Sequence, residues 1–194
     1  MDMLSTERLL LRRWTPADRA PFAALNADPA VMEHFPAPLT RSESDALAHR
    51  IDAHLAEHGW GRWAVEVRRP GTGPGRFAGF TGLAIARFDA HFTPAMEIGW
   101  RLASWAWGHG YATEAASAAL QFAFSSLGRT EVVSFTAAAN LGSQAVMRRI
   151  GMTRDADGDF EHPALPEGHR LRRHVLYRLS ATDWPSPASG GPDP

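Results

Sequence analysis

Two short stretches of the chain carry residue types that could do chemistry. The first, residues 97–114, reads Glu-Ile-Gly-Trp-Arg-Leu-Ala-Ser-Trp-Ala-Trp-Gly-His-Gly-Tyr-Ala-Thr-Glu. It has the pattern of a strand up to Leu102, turns at Gly108 and Gly110, and restarts as a helix at about Ala112. The first turn of a helix leaves backbone amides unpaired, and glycine lets a ligand approach them closely. The stretch therefore predicts a binding site for a phosphorylated anion.

The second stretch, residues 140–152, places Asn140 and Ser143 at the start of a short predicted helix that Gly151 ends.

The glycine turn of the first stretch lacks the residues of the common nucleotide-binding motifs. It has neither the third glycine of the dinucleotide-binding fingerprint nor the Gly-Lys-Ser/Thr of a P-loop, and the chain contains no lysine at all. Neither common nucleotide-binding motif fits.

The bulk composition excludes several classes of function. The chain has 194 residues, a formal net charge of −1 and a pI of about 6.8, so neither nucleic acid nor a membrane surface is an expected partner. Cysteine is absent, which removes disulfides, thiolate metal sites and a thiol nucleophile, and no metal site is expected. Since the N-terminus does not resemble a signal peptide and no apolar run approaches about 18 residues, we expect a cytoplasmic protein.

Hydrophobic periodicity and turn residues divide the chain into strands and helices. Strands are predicted at 7–14, 63–67, 77–85, 95–102, 130–137, 152–160 and 174–179. Helices are predicted at 16–28, 41–57, 112–127 and 140–149. This order favours an α/β (α+β) fold in which a mixed, mostly antiparallel central sheet is flanked by about four helices.

Domain organisation is expected to be simple. No linker or internal repeat divides the chain, so residues 1–184 are predicted to form one domain and the Pro/Gly/Ser-rich residues 185–194 a disordered tail. The glycine–proline segment 69–76 is interpreted as a hairpin turn, because no helix follows it. The apolar, proline-broken segment 31–39 lies between the first two helices, where it could cover a binding cleft.

Taken in order, these elements resemble the GNAT acetyltransferase superfamily, and more closely its branch of Rim-type ribosomal-protein N-terminal acetyltransferases. The segments that carry the resemblance span nearly the whole chain, at 6–9, 97–100, 107–114, 140–152, 160–163 and 174–179. The resemblance implies central strands that splay after residues 97–102, with the pantetheine arm of acetyl-CoA in the gap. The chain departs from the family pattern at Trp105, where the broad motif has Gln or Arg, and at Met147, where many members have tyrosine.

The same resemblance implies roles for individual residues. Acetyl-CoA is the implied cosubstrate, with its pyrophosphate on the amides of residues 107–112 and a backbone amide within 98–100 polarising the thioester carbonyl. The residues expected to bind acetyl-CoA are Ile98, Gly99, Trp100, Arg101, Leu102, Trp107, Gly108, His109, Gly110, Tyr111, Ala112, Asn140 and Ser143.

Three residues are candidates for catalysis, in a scheme where the amine attacks directly and no enzyme nucleophile is required. Glu97 is the candidate general base, or else an exposed strand-end carboxylate, and His162 is less favoured. Ser143 is the candidate proton donor to the departing thiolate, or else a first-turn residue that satisfies a backbone amide. Asn140 would bind the pantetheine, cap its helix, or do both.

The predicted function is acetyl-CoA-dependent N-acetyl transfer to a primary amine, either a small-molecule amine or a protein N-terminal α-amine. The family often dimerises, so a homodimer is a further expectation. The alternative function is a noncatalytic acyl-CoA-binding sensor or regulatory module. Such a module would need Gly108 and Gly110 but neither Glu97 nor Ser143.

Overall fold

The computed structural model describes residues 3–68 and 75–185. The strands are β1 (Leu4–Ser5), β2 (Leu9–Arg12), β3 (Arg62–Val67), β4 (Arg76–Ala86), β5 (Ala95–Leu102), β6 (Glu131–Ala137), β7 (Thr153–Glu161) and β8 (Arg173–Ser180). The helices are α1 (Arg19–Ala27), α2 (Arg41–His58), α3 (Tyr111–Ser125) and α4 (Leu141–Arg149), with 3₁₀ turns at Pro16–Asp18 and Ser104–Ala106. None of the described helices combines the length and hydrophobicity needed to cross a membrane.

The N-terminal strand is shorter than the leucine run predicts. A single strand over residues 7–14 was expected, but the chain folds back before β2, and β1 pairs with it in antiparallel fashion. Thr6 holds this fold-back, because its amide donates to the Leu9 carbonyl and its hydroxyl accepts from the Leu9 amide. A polar side chain that satisfies turn amides thus interrupts a strand that hydrophobicity alone would extend.

Capping residues set the ends of the second helix, which begins at residue 41 as predicted. Thr40 and Glu43 form a reciprocal capping box at the start of α2, and Gly59 ends the helix in the left-handed region at φ 71°. The first helix begins differently from the prediction. Residues 16–18 form a 3₁₀ turn before α1, and the Asp18 side chain closes that turn on itself.

One sheet contains every described strand, in the order β1-β2-β3-β4-β5-β6-β8-β7. All neighbours are antiparallel except β5 and β6, which run parallel and are paired at one register position within the described residues, Glu97 with Val133. Beyond this pair the two central strands separate. The predicted mixed, mostly antiparallel sheet with splayed central strands is therefore confirmed.

The helices cover the two faces of the sheet in pairs. On the first face Phe22 of α1 packs on Phe80 of β4, with ring centroids 6.0 Å apart. On the second face Phe122 of α3 packs edge-on against the buried Trp63 of β3 at 5.5 Å. Since α1 packs with α2, and α4 packs with α3 and β6, the α1/α2 layer and the α3/α4 layer enclose the sheet.

Strand register decides which β5 side chains point to each layer. Arg101 lies opposite Phe80, so Arg101, Gly99 and Glu97 share the α1/α2 face. Trp100 lies opposite Thr81, on the α3/α4 face. The strand that carries the predicted site therefore presents charged side chains to one layer only.

Two predicted segments fall largely outside the described residues. Of the turn 69–76, only its last two residues are described, and the strands that it joins do pair in antiparallel fashion, with Val67 opposite Arg76. Of the tail 185–194, only Pro185 is described.

Candidate active site

The separation of β5 and β6 opens a cavity of about 1170 Å³ in the middle of the molecule. Residues 99–102 form one wall and residues 134–137 the other. The lining also includes Phe35 from the α1/α2 layer and Val146 from the α3/α4 layer. Because both layers contribute to it, the cavity crosses the sheet.

Backbone groups of β5 are exposed where its partner has diverged. The Ile98 carbonyl accepts the Ser134 hydroxyl at 2.9 Å, so the peptide groups of Ile98 face β6. Because the hydrogen-bonding direction alternates along a strand, the peptide groups of Trp100 face the same side. No register pair joins β5 and β6 at that level among the described residues. The Trp100 amide and carbonyl are therefore available to a ligand in the gap.

The glycine turn presents a row of unpaired amides to the same cavity. Gly108 and Gly110 have φ values of 78° and 79°, so both take the left-handed conformation that glycine tolerates without a steric penalty. Among the described residues, no acceptor is found for the amides of residues 108–113, which form the turn and the first residues of α3. The Trp107 amide, by contrast, already donates to the Ser104 carbonyl at 3.1 Å. The free donors thus begin one residue later than predicted, at a helix N-terminus suited to a phosphate.

A polar clasp, absent from the sequence-based list, fixes this turn to the start of β2. Arg8 forms an ion pair with Glu114 at 2.6 Å and donates to the His109 carbonyl at 2.9 Å. The Thr6 hydroxyl donates to the other oxygen of the Glu114 carboxylate at 2.6 Å. Burial alone would raise the pKa of Glu114, but the bonds from Thr6 and Arg8 outweigh it and lower that pKa. An ionised Glu114 therefore anchors the turn without competing for its amides.

Asn140 and Ser143 lie on the α4 side of the cavity in a closed set of bonds. The Asn140 side-chain oxygen accepts the Ser143 amide at 3.1 Å, which confirms the predicted cap. Its amide nitrogen donates to the Thr136 hydroxyl at 3.0 Å and to the Ser143 hydroxyl at 3.2 Å. The Ser143 oxygen thus acts as an acceptor within this set, and its own proton is free to be donated elsewhere.

The two tyrosines of the chain lie away from this point. Tyr111 lines the cavity at the glycine turn, whereas Tyr177 is buried and bonded to Gln144 and Arg148. Met147, at the position where many GNAT members have tyrosine, is buried with its side chain against the cavity. Ser143 is therefore the hydroxyl on α4 that lines the cavity.

Glu97 lines the cavity on the opposite face, at the point where the central strands part. Its side chain is 17% exposed, and Arg62 Nη2 lies 3.4 Å from its carboxylate. The interpretation of Glu97 as an exposed strand-end carboxylate is therefore wrong. The geometry leaves this carboxylate accessible from the cavity while Arg62 holds it in place.

His162 also reaches the cavity, in a form unsuited to accept a proton there. Burial lowers the pKa of His162, although the negative charge of Glu97 partly opposes this. Its Nδ1 accepts the Ala164 amide at 3.2 Å, so the neutral ring carries its proton on Nε2. The nitrogen left to face a substrate is then a donor, which favours Glu97 as the base.

The structure brings nearly all predicted site residues to one cavity. Ile98 and His109 do not line it: the Ile98 side chain is fully buried in the core, and the His109 ring stacks on Tyr111 at 5.4 Å. Arg62 and Arg8 also line it, although neither was among the expected site residues. Arg8 lies in segment 6–9, which carries part of the family resemblance but had no predicted role in the site, and Arg62 lies in none of those segments.

Two loops meet over the α1/α2 entrance. Segment 31–39, expected to cover a cleft, contributes Val31 and residues 33–36 to the cavity lining. Arg170, in the loop between β7 and β8, donates to the Glu33 carbonyl at 2.8 Å and joins this loop to segment 31–39. Within the described part of the chain, no cluster of histidine and carboxylate side chains could hold a metal ion.

Comparisons with known proteins agree with this geometry. The family model described as "Acetyltransferase (GNAT) domain" matches residues 8–153. The FsC-acetyl coenzyme A-N(2)-transacetylase of Aspergillus fumigatus is 29% identical over 171 residues, which cover 82% of this chain and 68% of that protein.

Solved structures show the same architecture. An acetyltransferase from Agrobacterium tumefaciens superposes with a TM-score of 0.71 at 27% identity, covering 92% of this chain and 94% of that one. RimJ of Mycobacterium smegmatis, solved with CoA-disulfide, superposes with a TM-score of 0.72 at 20% identity, covering 95% and 90%. The likeness to RimJ shows a shared fold.

Proposed function

The chain belongs to the GNAT acetyltransferase family, and on that premise we propose that it transfers acetyl from acetyl-CoA to a primary amine entering from the α1/α2 face. One observation carries the proposal. The cavity crosses the sheet at the β5–β6 gap, with free amides at residues 108–113 on one side and the Glu97 carboxylate on the other. Two substrates can therefore meet in the gap from opposite faces.

The residues present fit acetyl-CoA. The unpaired amides of 108–113 and the α3 dipole suit its pyrophosphate, and the exposed peptide groups of Trp100 suit its pantetheine arm. When bound, acetyl-CoA supplies an acetyl group activated as a thioester. The Trp100 amide is the donor that would polarise the thioester carbonyl, since the Ile98 peptide already faces paired β6 residues.

Glu97 is proposed as the general base. An amine must lose a proton as its nitrogen forms the new C–N bond, and Glu97 offers the carboxylate nearest the strand separation. Arg62 fixes the carboxylate orientation through the 3.4 Å contact. The proton of the amine would pass to Glu97 directly or through one water.

Ser143 is proposed as the proton donor to sulfur as the C–S bond breaks. Its hydroxyl oxygen accepts from Asn140, which leaves the hydroxyl proton directed away from that bond. Solvent would then return a proton from Glu97 to Ser143, so the cycle balances. Asn140 acts as a positioning residue in this scheme, because its polar atoms bond to Ser143 and Thr136.

The name of the Aspergillus relative describes acetyl transfer to a nitrogen, N(2), which supports a nitrogen acceptor here. Calorimetry with acetyl-CoA, followed by CoA-thiol release across small amines and Ala-, Ser- and Met-initiated peptides, tests the proposal. We expect acetyl-CoA binding and release with at least one amine class. Absence of acetyl-CoA binding would refute the proposal, and binding without release from any amine would favour the sensor function.

A further inference from the structure

Two arginines face the α1/α2 side of the cavity around a single aromatic ring. The guanidinium carbons of Arg62 and Arg101 lie 5.7 Å and 5.6 Å from the centroid of the Phe80 ring. Phe35 packs against Arg101 from the covering loop, at 4.0 Å. Both arginines line the same cavity as Glu97. Two cations therefore lie on this side of the cavity.

Arg101 is held by a neutral partner. Its Nη1 donates to the side-chain oxygen of Asn26 at 2.6 Å, and the buried Asn26 is fixed in turn by Ser44 at 2.9 Å. Among the described residues, its buried Nε has no acceptor. Burial, and then the nearby positive charge of Arg62, lower the pKa of Arg101 to about 10. At neutral pH the guanidinium is therefore charged and partly desolvated, and within residues 3–68 and 75–185 no carboxylate pairs with it.

Among the described residues, the carboxylates at this end of the cavity contact only one of the two arginines. Glu97 contacts Arg62 with one 3.4 Å approach, and the buried Nε of Arg62 has no acceptor within the described part of the chain. Glu33 also lines the cavity, but its side chain is 67% exposed and lies beside His34. Two arginines and two carboxylates thus line this half of the cavity, but within the described residues no carboxylate contacts Arg101.

The opposite wall is aromatic and uncharged. Phe135, His162 and His174 line it, and the two histidine rings are 4.9 Å apart. Burial lowers the pKa of both histidines, so neither adds a positive charge at neutral pH. An acceptor in this half of the cavity meets cations on one side and rings on the other.

We propose that the acceptor amine carries a carboxylate, which Arg62 and Arg101 bind while the amine faces Glu97. Guanidinium groups form charge-assisted hydrogen bonds to carboxylates, and the contacts with Phe35 and Phe80 hold these two groups in position. Because Arg62 touches Glu97, the carboxylate and the amine lie a few bonds apart, the spacing found in a free amino acid. The inference rests on the proposed function and names the substrate class of the same site.

A panel of matched amines tests the inference. With saturating acetyl-CoA, CoA release is measured for each standard amino acid, for its α-amide and for the amine that lacks the carboxyl group. Dipeptide amides with Asp or Asn in second position form a separate arm, which shows whether a peptide side chain can supply the carboxylate. We expect the KM of the best free amino acid to be at least about tenfold below that of its amide.

Variants separate charge recognition from folding. Arg101→Gln should raise KM for the amino acid about 10- to 100-fold and raise KM for the amide much less, so that the preference for the amino acid is lost. Arg101→Lys keeps the positive charge but replaces the planar guanidinium, and it should recover part of the preference for the amino acid. Arg13→Gln, which removes an exposed arginine that pairs with Asp52 outside the cavity, is the matched control.

Each result is decisive. The inference is overturned if no amino acid is preferred over its amide, whether because amides react as well or because nothing in the panel reacts. It is also overturned if Arg101→Gln affects both members of a pair equally. Calorimetry with acetyl-CoA alone tests the proposed function separately, so acetylation of uncharged amines with no carboxylate preference would keep that function and remove this inference.

Discussion

Glu97 occupies the last paired position of β5 before the central strands separate. Its neighbours in register are a β4 residue and Val133 of β6, so its backbone is fixed while its side chain enters the cavity. Arg62 contacts the carboxylate on one side. On the proposed function, Glu97 would hold its carboxylate where the two substrates meet, as general-base catalysis requires.

Glu97→Gln should therefore reduce kcat/KM by about 100-fold near neutral pH, the lower end of what a positioned base contributes. The deficit should be largest at low pH, where the amine is protonated, and smaller at high pH, where it has already lost its proton. The pH–rate profile of both proteins measures this. Glu131→Gln, which removes a β6 carboxylate outside the cavity, serves as control. A parallel drop at every pH would exclude Glu97 as the base.

At the scale of elements, the glycine turn works through backbone conformation. Gly110 has φ 79°, and a side chain there would begin 3.5 Å from the Arg8 guanidinium that clasps the turn. Any other residue at this φ is strained by roughly 1–2 kcal/mol, and the turn would rearrange to relieve it. The positions of the unpaired amides of 108–113 would then change.

Gly110→Val should weaken acetyl-CoA binding at least about tenfold, since loss of one charge-assisted hydrogen bond already costs that much. Calorimetry measures the affinity. Gly128→Val is a matched control, because Gly128 has φ 59° and free space around it but lies at the far end of α3. Equal loss of affinity in the two variants would mean that general destabilisation, and not the anion site, is responsible.

A network of ion pairs joins the 3₁₀ turn Pro16–Asp18 to the sheet. Asp18 is 2% exposed and accepts bonds from Arg12 at 2.7 Å and from the Thr15 amide at 2.7 Å. Arg12 also reaches Glu66 of β3 at 2.7 Å. Burial alone would raise the pKa of Asp18, but the bonds from Arg12 and Thr15 outweigh it and lower that pKa below the ordinary 3.8.

Asp18→Asn should lower the free energy of unfolding by about 3 kcal/mol at pH 7, because it leaves Arg12 partly unpaired. The folded-state pKa lies below the unfolded one, so this stabilisation is complete above about pH 4 and disappears as the pH falls through the folded-state pKa. Urea denaturation between pH 7 and pH 3 measures it. Asp52→Asn breaks the more exposed ion pair with Arg13 and should change the free energy of unfolding little. A pH-independent difference would contradict the assignment.

At the scale of the molecule, the sheet consists of two parts that are paired at one register position within the described residues. Strands β1 to β5 form one part and β6, β8 and β7 the other. They are joined by the Glu97–Val133 pair and the bond from Ser134 to Ile98, together with the helices packed across them. A ligand that bonds to Trp100 and the glycine turn would lie between the two parts and stabilise both.

Saturating acetyl-CoA should accordingly raise the melting temperature. A ligand at 100 times its Kd adds about 2.7 kcal/mol, which corresponds to roughly 5–10 °C for a chain of this size. Thermal unfolding measures the shift, and hydrogen exchange should slow most at residues 98–102 and 134–137. Gly110→Val should lose most of the shift at the same concentration. A full shift in that variant would place the ligand elsewhere.

Much of the fold was predictable because the helix caps and turns depend on residues close together in the sequence. The Thr40–Glu43 box and the Asn140 cap each join residues three positions apart, so the spacing alone identifies them. The glycine turn and the run of small residues after it likewise predicted the helix that follows Gly110. The fold-back at Thr6 was missed, since a leucine run predicts a strand whether or not a hydroxyl ends it.

The sequence by itself thus determined the glycine turn, the Asn140 cap and the family, because those depend on residue types at short fixed spacings. Only the tertiary structure decided that Arg8 clasps Glu114, 106 positions away, and that Arg62 and Arg101 share one face of the sheet. Such pairings depend on strand order and register, which set neighbours across the sheet without leaving a local pattern. The glycine turn could be predicted from the sequence, whereas the pair of arginines beside Phe80 could be seen only in the folded molecule.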